Sequence, residues 1–239
     1  MIAWNLIGLL ACAGCNPSPL DPDGSAADLA AARARLVHSL QSQGITDPRV
    51  LAAMAAVPRH EFVRPQDRDL AYTDQALPIA GGQTISQPYI VALMTQLLEL
   101  RGTERVLEIG TGSGMQAAVL AVLAREVYSI EIDPMLAAAA AERLRSLGYS
   151  NVHVRAGDGF YGWEEAAPFD AVIVTAAAPR VPERLVAQLA PGGRLVMPLA
   201  EDDHQTLIRG YKEGTTLRIT PITGVLFVPM TGAVQTPTP

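Results

Sequence analysis

Cysteine is nearly missing from this 239-residue chain: there are two, Cys12 and Cys15, both close to the start. Their spacing invites a redox or zinc reading. No second pair exists, however, and the four histidines (His38, His60, His153 and His204) are scattered, so no metal site is expected. Long apolar runs are missing too, since none approaches the ~20 residues that span a bilayer. No block of Lys and Arg stands out, and the formal net charge is −6. A nucleic-acid phosphate backbone is therefore not expected as the principal partner. What is plentiful is apolar: 49% of residues are hydrophobic and 18% charged, enough to bury one substantial core in a single α/β domain.

The two cysteines follow a short apolar run, Leu6 to Ala11. That run reads as the tail of a bacterial lipoprotein signal, with Cys12 or Cys15 as the acylated residue. Asn16 to Ser25, with Pro17, Pro19, Pro22 and Gly24, reads as a flexible tether. Against this, no Lys or Arg precedes the run, as a secretory signal normally has. Either the true start lies upstream, or a misplaced start has added untranslated sequence. The expected division is a signal and tether over 1–25, one domain over 26–232 and a loose tail over 233–239.

Within the domain, Ala26 to Gln43 has helical periodicity, with Leu29, Leu36, Val37 and Leu40 on one side. Asp47-Pro48 supplies an N-cap and an N1 proline for a helix to about Ala56. Residues 59–83 are irregular, and Pro88 opens an apolar helix through Leu100. From there strands expected at 105–109, 127–132, 151–155, 170–175 and 194–198 alternate with helices at 115–125, 134–147 and 182–190. Such alternation predicts a doubly wound, mainly parallel sheet with helices on both faces. Short β-rich runs from Gln205 to Val228 predict antiparallel strands at its end.

The segment Val106 to Gly114 is the most informative. An apolar strand stops at Gly110, Gly112 and Gly114, a helix follows, and the next strand ends near Glu131. This is a β-turn-α-β unit whose glycines let the backbone approach a ligand. A dinucleotide fingerprint has glycines at the first, third and sixth positions; here the sixth is Met115. Glu108, just before the turn, would repel a pyrophosphate and suits a cationic ligand. S-adenosylmethionine combines a sulfonium, an ammonium and a ribose without phosphate. Glu131 lies about 20 positions past Gly110, the offset at which an acidic side chain accepts ribose hydroxyls. The competing reading is a turn that only packs helix on strand; Glu108 and Glu131 together favour a nucleoside site.

Ligands of such sheets bind beyond the carboxyl ends of the strands. Gly157-Asp158-Gly159 arrives there, where Asp158 or its neighbouring amide can take the exocyclic amine of adenine, unless it is a helix cap. Thr175 to Pro179 offers small side chains beside a substrate, and Pro191-Gly192-Gly193 forms the turn into the fifth strand.

Leu77-Pro78-Ile79-Ala80-Gly81-Gly82-Gln83-Thr84-Ile85-Ser86-Gln87-Pro88 is more specific. Taken with the glycine loop and residues 157–159, 168–179, 189–198 and 227–232, it resembles the protein-L-isoaspartate O-methyltransferase family, in order from about residue 28 to 232. The resemblance implies a class I, Rossmann-like methyltransferase using S-adenosylmethionine. The implied acceptor is the free α-carboxylate of L-isoaspartyl residues in damaged proteins and peptides. It places Ser86 at the active-site position, although a serine there could simply cap the helix at Pro88. It places the cofactor against Ile79, Ala80, Gly81, Gly82, Glu108, Gly110, Thr111, Gly112, Ser113, Gly114, Glu131, Asp158, Gly159 and Thr231. The alternative is a methyltransferase for another carboxylate or a small molecule. Two departures stand out: Met115 replaces the Tyr usual in bacterial members, and the cysteine-bearing extension is foreign to a cytosolic family. A cytoplasmic location is expected, with a lipid-anchored, exported form as the alternative; a membrane is a partner only if the N-terminal cysteine is acylated.

Overall fold

A computed structural model describes residues 26–235. The cysteine segment, the tether and residues 236–239 lie outside the described residues. Helices α1 (Ala26–Ser42) and α2 (Pro48–Ala56) come first. The irregular stretch that follows holds short 3-10 turns and a hairpin of β1 (Leu77–Pro78) and β2 (Thr84–Ile85). Helix α3 (Pro88–Leu97) leads into the alternating part: β3 (Arg105–Ile109), α4 (Met115–Leu123), β4 (Glu126–Glu131), α5 (Pro134–Ser146), β5 (Val152–Ala156) and β6 (Phe169–Val174). Then come α6 (Glu183–Gln188), β7 (Leu189–Glu201), β8 (His204–Glu213) and β9 (Thr216–Val225).

The seven-stranded sheet runs β5-β4-β3-β6-β7-β8-β9. The first five are parallel, and β8 and β9 complete the edge antiparallel, as expected. The chain winds outward from β3 to β5, then returns to the other side of β3 as β6. The loops after β3 and β6 therefore part at the sheet's centre, which opens a crevice at their carboxyl ends.

Neighbouring residues of β3 feed opposite faces of the sheet. Val106 joins the core under α1 to α4 with Leu40, Phe62, Met94 and Leu120, while Leu107 and Ile109 join the other with Val172, Leu185 and Leu195. Each such fully buried aliphatic side chain stabilises the fold by roughly 1.5–3 kcal/mol. Helix α4 is apolar nearly all round because it is enclosed between the sheet and the N-terminal helices.

Three expectations need correction. The helix from Pro88 stops at Leu97, because Glu99 takes a left-handed φ of 51° that ends helical winding. Pro191-Gly192-Gly193 does not precede its strand but sits inside β7, beside an irregularity in the pairing with β6. Gly192, at φ 71°, supplies the local distortion. The helix before it is correspondingly shorter than 182–190. Finally, residues 233–235 are not loose: they form a 3-10 turn whose Val234 is fully buried in the second core.

Candidate active site

The crevice holds a narrow pocket of about 120 Å³ walled by the glycine loop, Glu131, Gly159, Thr175 and the segment Val228–Thr231. Gly110 turns at φ 95°, a conformation L side chains rarely adopt, and its carbonyl accepts the Thr175 hydroxyl at 2.7 Å. A Cβ there would lie 2.4 Å from that hydroxyl oxygen. Glu131 reaches back from the end of β4. One oxygen accepts the Gly112 amide at 2.8 Å and the other the Asp133 amide at 3.1 Å. Each carboxylate oxygen retains a further lone-pair site, so Glu131 braces the loop and still faces the pocket. From α5, Arg143 donates to the Ser113 carbonyl at 2.8 Å.

The sequence-expected residues divide into groups. Gly110, Thr111, Gly112, Ser113, Glu131, Gly159, Thr231 and Ser86 reach the pocket wall. Ile79 to Gly82 stand just behind it: the Ile79 side chain would lie 3.6 Å from a Cβ on Gly112, and Gly81 abuts Asp133 and Leu136. Gly114 faces Leu144 and Ala140, so here the glycine serves packing between α4 and α5. Glu108 also differs from expectation. It is fully buried beneath the loop, away from the wall, and burial pushes its carboxyl up to about 8. Ser129 donates to one of its oxygens and shares a 2.6 Å hydrogen bond with Thr111, while the other oxygen has no hydrogen-bond partner. Burial favours the protonated form, and Glu108 supports the loop from below, away from the pocket wall.

Asp158 takes the cap role. It accepts the Phe160 amide at 2.9 Å, capping a 3-10 turn, and its other oxygen takes the Ala233 amide at 2.8 Å. Its neighbour Gly159 forms the wall, and a Cβ on Gly159 would collide with Ile109 at 2.2 Å.

Ser86 lies where this pocket meets a second, roomier cavity of about 740 Å³, sharing the boundary with Thr84, Thr175 and Val228. That cavity is also lined by the β7–β8 turn, Asp202 to Gln205, and by Gly224 to Phe227. Ser86 is not the helix cap. The N-cap of α3 is Gln87, with no side-chain cap bond, and the Tyr89 amide is taken by Asp74 instead.

Sequence reasoning missed Gln83, Thr84, Ile85, Gln116, Ile130, Ile132 and Val228 to Met230 as wall residues. Ile130 and Ile132 flank Glu131 and could have been inferred from it. Val228 to Met230 reach the pocket through a short pairing with Ala177, whose amide donates to Val228 and whose carbonyl accepts Met230 at 2.7 Å. Nothing local announces that contact. Among the described residues no cluster of His, Cys, Asp or Glu could hold a metal ion, and no helix is long and apolar enough to cross a membrane.

A glycine-cradled pocket with a bracing carboxylate and isoleucine walls fits a nucleoside-containing ligand. Comparison with known proteins agrees. The family model described as protein-L-isoaspartate(D-aspartate) O-methyltransferase matches residues 31–235. A Shewanella sediminis protein named protein-L-isoaspartate O-methyltransferase 2 is 54% identical over 213 residues, 88% of this chain and 87% of its own. A Dictyoglomus thermophilum protein-L-isoaspartate O-methyltransferase is 51% identical over 200 residues, 84% of this chain and 91% of its own. A putative protein-L-isoaspartate O-methyltransferase of Plasmodium falciparum, solved with S-adenosyl-L-homocysteine, is 26% identical. It superposes with a TM-score of 0.73 over 83% of this chain and 98% of its own.

Proposed function

The chain belongs to the protein-L-isoaspartate(D-aspartate) O-methyltransferase family, and from that premise we propose that Ser86 presents the acceptor to a donor held by the glycine loop. The protein is an S-adenosylmethionine-dependent enzyme that methylates the free α-carboxylate of L-isoaspartyl residues in damaged proteins. The observation that carries the assignment of roles is the position of Ser86 at the seam between the narrow pocket and the roomy cavity.

Bound in the narrow pocket, S-adenosylmethionine supplies an electrophilic methyl group on a sulfonium. Glu131 would take the ribose hydroxyls on its remaining lone pairs, and Ile130 and Ile132 would cover the base. Gly110 to Ser113 would follow the donor's length, and Gly159 and Thr231 would close the wall. Ile79 to Gly82 would hold the loop from behind, as Glu108 does from below. The acceptor carboxylate is already ionised at neutral pH, so no side chain has to remove a proton. The enzyme's task is alignment, with reacting atoms held ~3–3.5 Å apart. The Ser86 hydroxyl, which α3 does not use as a cap, would donate to that carboxylate and fix its direction. The resulting methyl ester closes to a succinimide when the backbone nitrogen of the following residue attacks it and methanol leaves; hydrolysis of that ring returns part of the damaged chain to normal aspartate.

Ser86→Ala tests this. A hydrogen bond to a charged group contributes about 1.5–3 kcal/mol, so turnover of an isoaspartyl peptide should fall roughly tenfold or more. S-adenosylmethionine affinity, read by calorimetry, should stay near wild type. Equal losses in both would remove the presenting role. An aspartyl peptide run beside the isoaspartyl one separates this reading from methylation of other carboxylates. A cytoplasmic location goes with it, since the donor is made in the cytosol. Mass spectrometry of the mature N-terminus decides against it if Cys12 or Cys15 is found acylated.

A further inference from the structure

Helix α3 begins without a cap of its own. Gln87 occupies the N-cap position and makes no side-chain cap bond; a residue of that type rarely serves there. The missing acceptor comes from upstream: Asp74 takes the Tyr89 amide at 2.8 Å. The second Asp74 oxygen accepts the Gln87 side-chain amide at 3.0 Å and the Gln43 amide, from just past α1, at 3.3 Å. One carboxylate thus joins the end of α1 to Gln87 and Tyr89, which follow Ser86 in the turn onto α3.

A cation stands behind this node. The Arg59 guanidinium is almost wholly buried, and among the described residues its one hydrogen bond goes to the Gln75 carbonyl, next to Asp74, at 3.3 Å. Its Nε and one terminal nitrogen have no hydrogen-bond partner. A buried guanidinium without a carboxylate nearby is costly, and the Asp74 charge acts on it favourably through space. Asp74 is therefore held on two sides, by the amides it accepts and by the charge behind it.

We infer that Asp74 is a positioning residue for catalysis: by capping α3 from a distance and holding Gln87, it sets where the Ser86 hydroxyl stands at the seam of the two cavities. This rests on Ser86 presenting the acceptor. The donor loop is fixed separately, by Glu131, Thr175 and Arg143, so a fault at Asp74 should reach the acceptor side and spare the donor side.

Asp74→Ala and Asp74→Asn test this, with peptide kinetics and S-adenosylmethionine calorimetry measured well below the melting temperature. Misplacement by about 1 Å can cost on the order of a hundredfold in rate. The alanine variant should lose roughly ten- to a hundredfold in kcat, with donor affinity unchanged. Asparagine keeps an oxygen for the Tyr89 amide and should recover most of the lost rate. Should the alanine variant not fold, Gln87→Leu removes one link to Asp74, leaves the Tyr89 cap, and should lower kcat for the peptide alone. The inference is overturned if kcat survives in the variants that fold, or if donor affinity falls with it. Wild type inactive on every isoaspartyl peptide would instead overturn the assigned function, so the two failures are distinguishable.

Discussion

On the donor side of the seam, most binding elements hang from the carboxyl end of a strand: the glycine loop from β3, Glu131 from β4, Gly159 just past β5 and Thr175 from β6, with Gln83 to Ser86 and Val228 to Thr231 completing the wall. On the acceptor side the walls are a short hairpin and helix start from before the sheet, and the β7–β8 turn and the segment after β9 from beyond it. The donor pocket inherits the rigidity of buried parallel strands. The acceptor cavity is fastened by side-chain bonds between segments distant in sequence. A donor with one structure can be met by a site fixed in the core of the fold. An acceptor that arrives on many damaged chains needs a wall with exposed, replaceable residues. The two differ most in what a single substitution should do.

Gly110→Ala should have the largest effect. It places a Cβ 2.4 Å from the Thr175 hydroxyl, at a φ of 95°. Backbone strain together with the lost Thr175 bond should lower the unfolding free energy by about 2–4 kcal/mol, read from urea denaturation. S-adenosylmethionine affinity should fall at least roughly tenfold with it. Wild-type stability and affinity in this variant would mean that the donor loop is as tolerant as the acceptor wall, and the contrast would fail.

Glu108 sharpens the same contrast through pH. Its folded-state carboxyl titrates at about 8, raised chiefly by burial and further by Glu131. In an unfolded chain a glutamate titrates near ~4.3. Between those values the folded protein keeps a proton that the unfolded chain has released. The Glu108 contribution to stability is therefore fully present below ~4.3 and is lost as pH rises through about 8. Its slope is up to ~1.4 kcal/mol per pH unit. Glu108→Gln should flatten that slope between pH 5 and 8 in denaturation curves, relative to wild type. Identical slopes would mean that Glu108 is ionised in the fold.

Most of the donor side was legible in the sequence because its parts are close together. Strand, turn, helix and carboxylate fall within Val106 to Glu131, and alternation alone fixed the five parallel strands to within a residue or two at most ends. The long start of β7 at Leu189 was the exception, since Pro191 and the two glycines read as a turn. At two donor-side residues the packed fold adds what spacing does not show. Glu108 was read as facing a cation, because spacing says nothing of depth. Asp158 carries both a cap and an adenine reading in the sequence; the fold shows the cap bonds, of which the one to Ala233 joins residues 75 apart. The acceptor side was legible at Thr175, whose small neighbours leave room for a substrate, and at Ser86 only through resemblance. Asp74 to Tyr89 and Ala177 to Met230 are contacts that the packed fold creates, and no local pattern encodes them. Met115 is buried at the pocket wall, where a flexible apolar side chain can fill the space.

The smallest effect should fall on Leu226, the residue that puts the acceptor side to its own test. It is 93% exposed, an unusual place for a leucine, and it lines the roomy cavity between Val225 and Phe227. Neighbouring Phe227 is pinned through its amide and carbonyl to the Gln205 side chain at 2.6 and 3.0 Å. The backbone under Leu226 is thus fixed while its side chain contributes little to the fold. Leu226→Ser should leave stability within ~0.5 kcal/mol and donor affinity unchanged. If the flanking part of an isoaspartyl peptide covers this leucine, the loss of about 1 kcal/mol of apolar contact should raise KM roughly fivefold at constant kcat. A KM that does not move would place the bound peptide on the other wall, against Ile90 and Gln87, and would leave the acidic turn at Asp202 and Asp203 outside the acceptor's path.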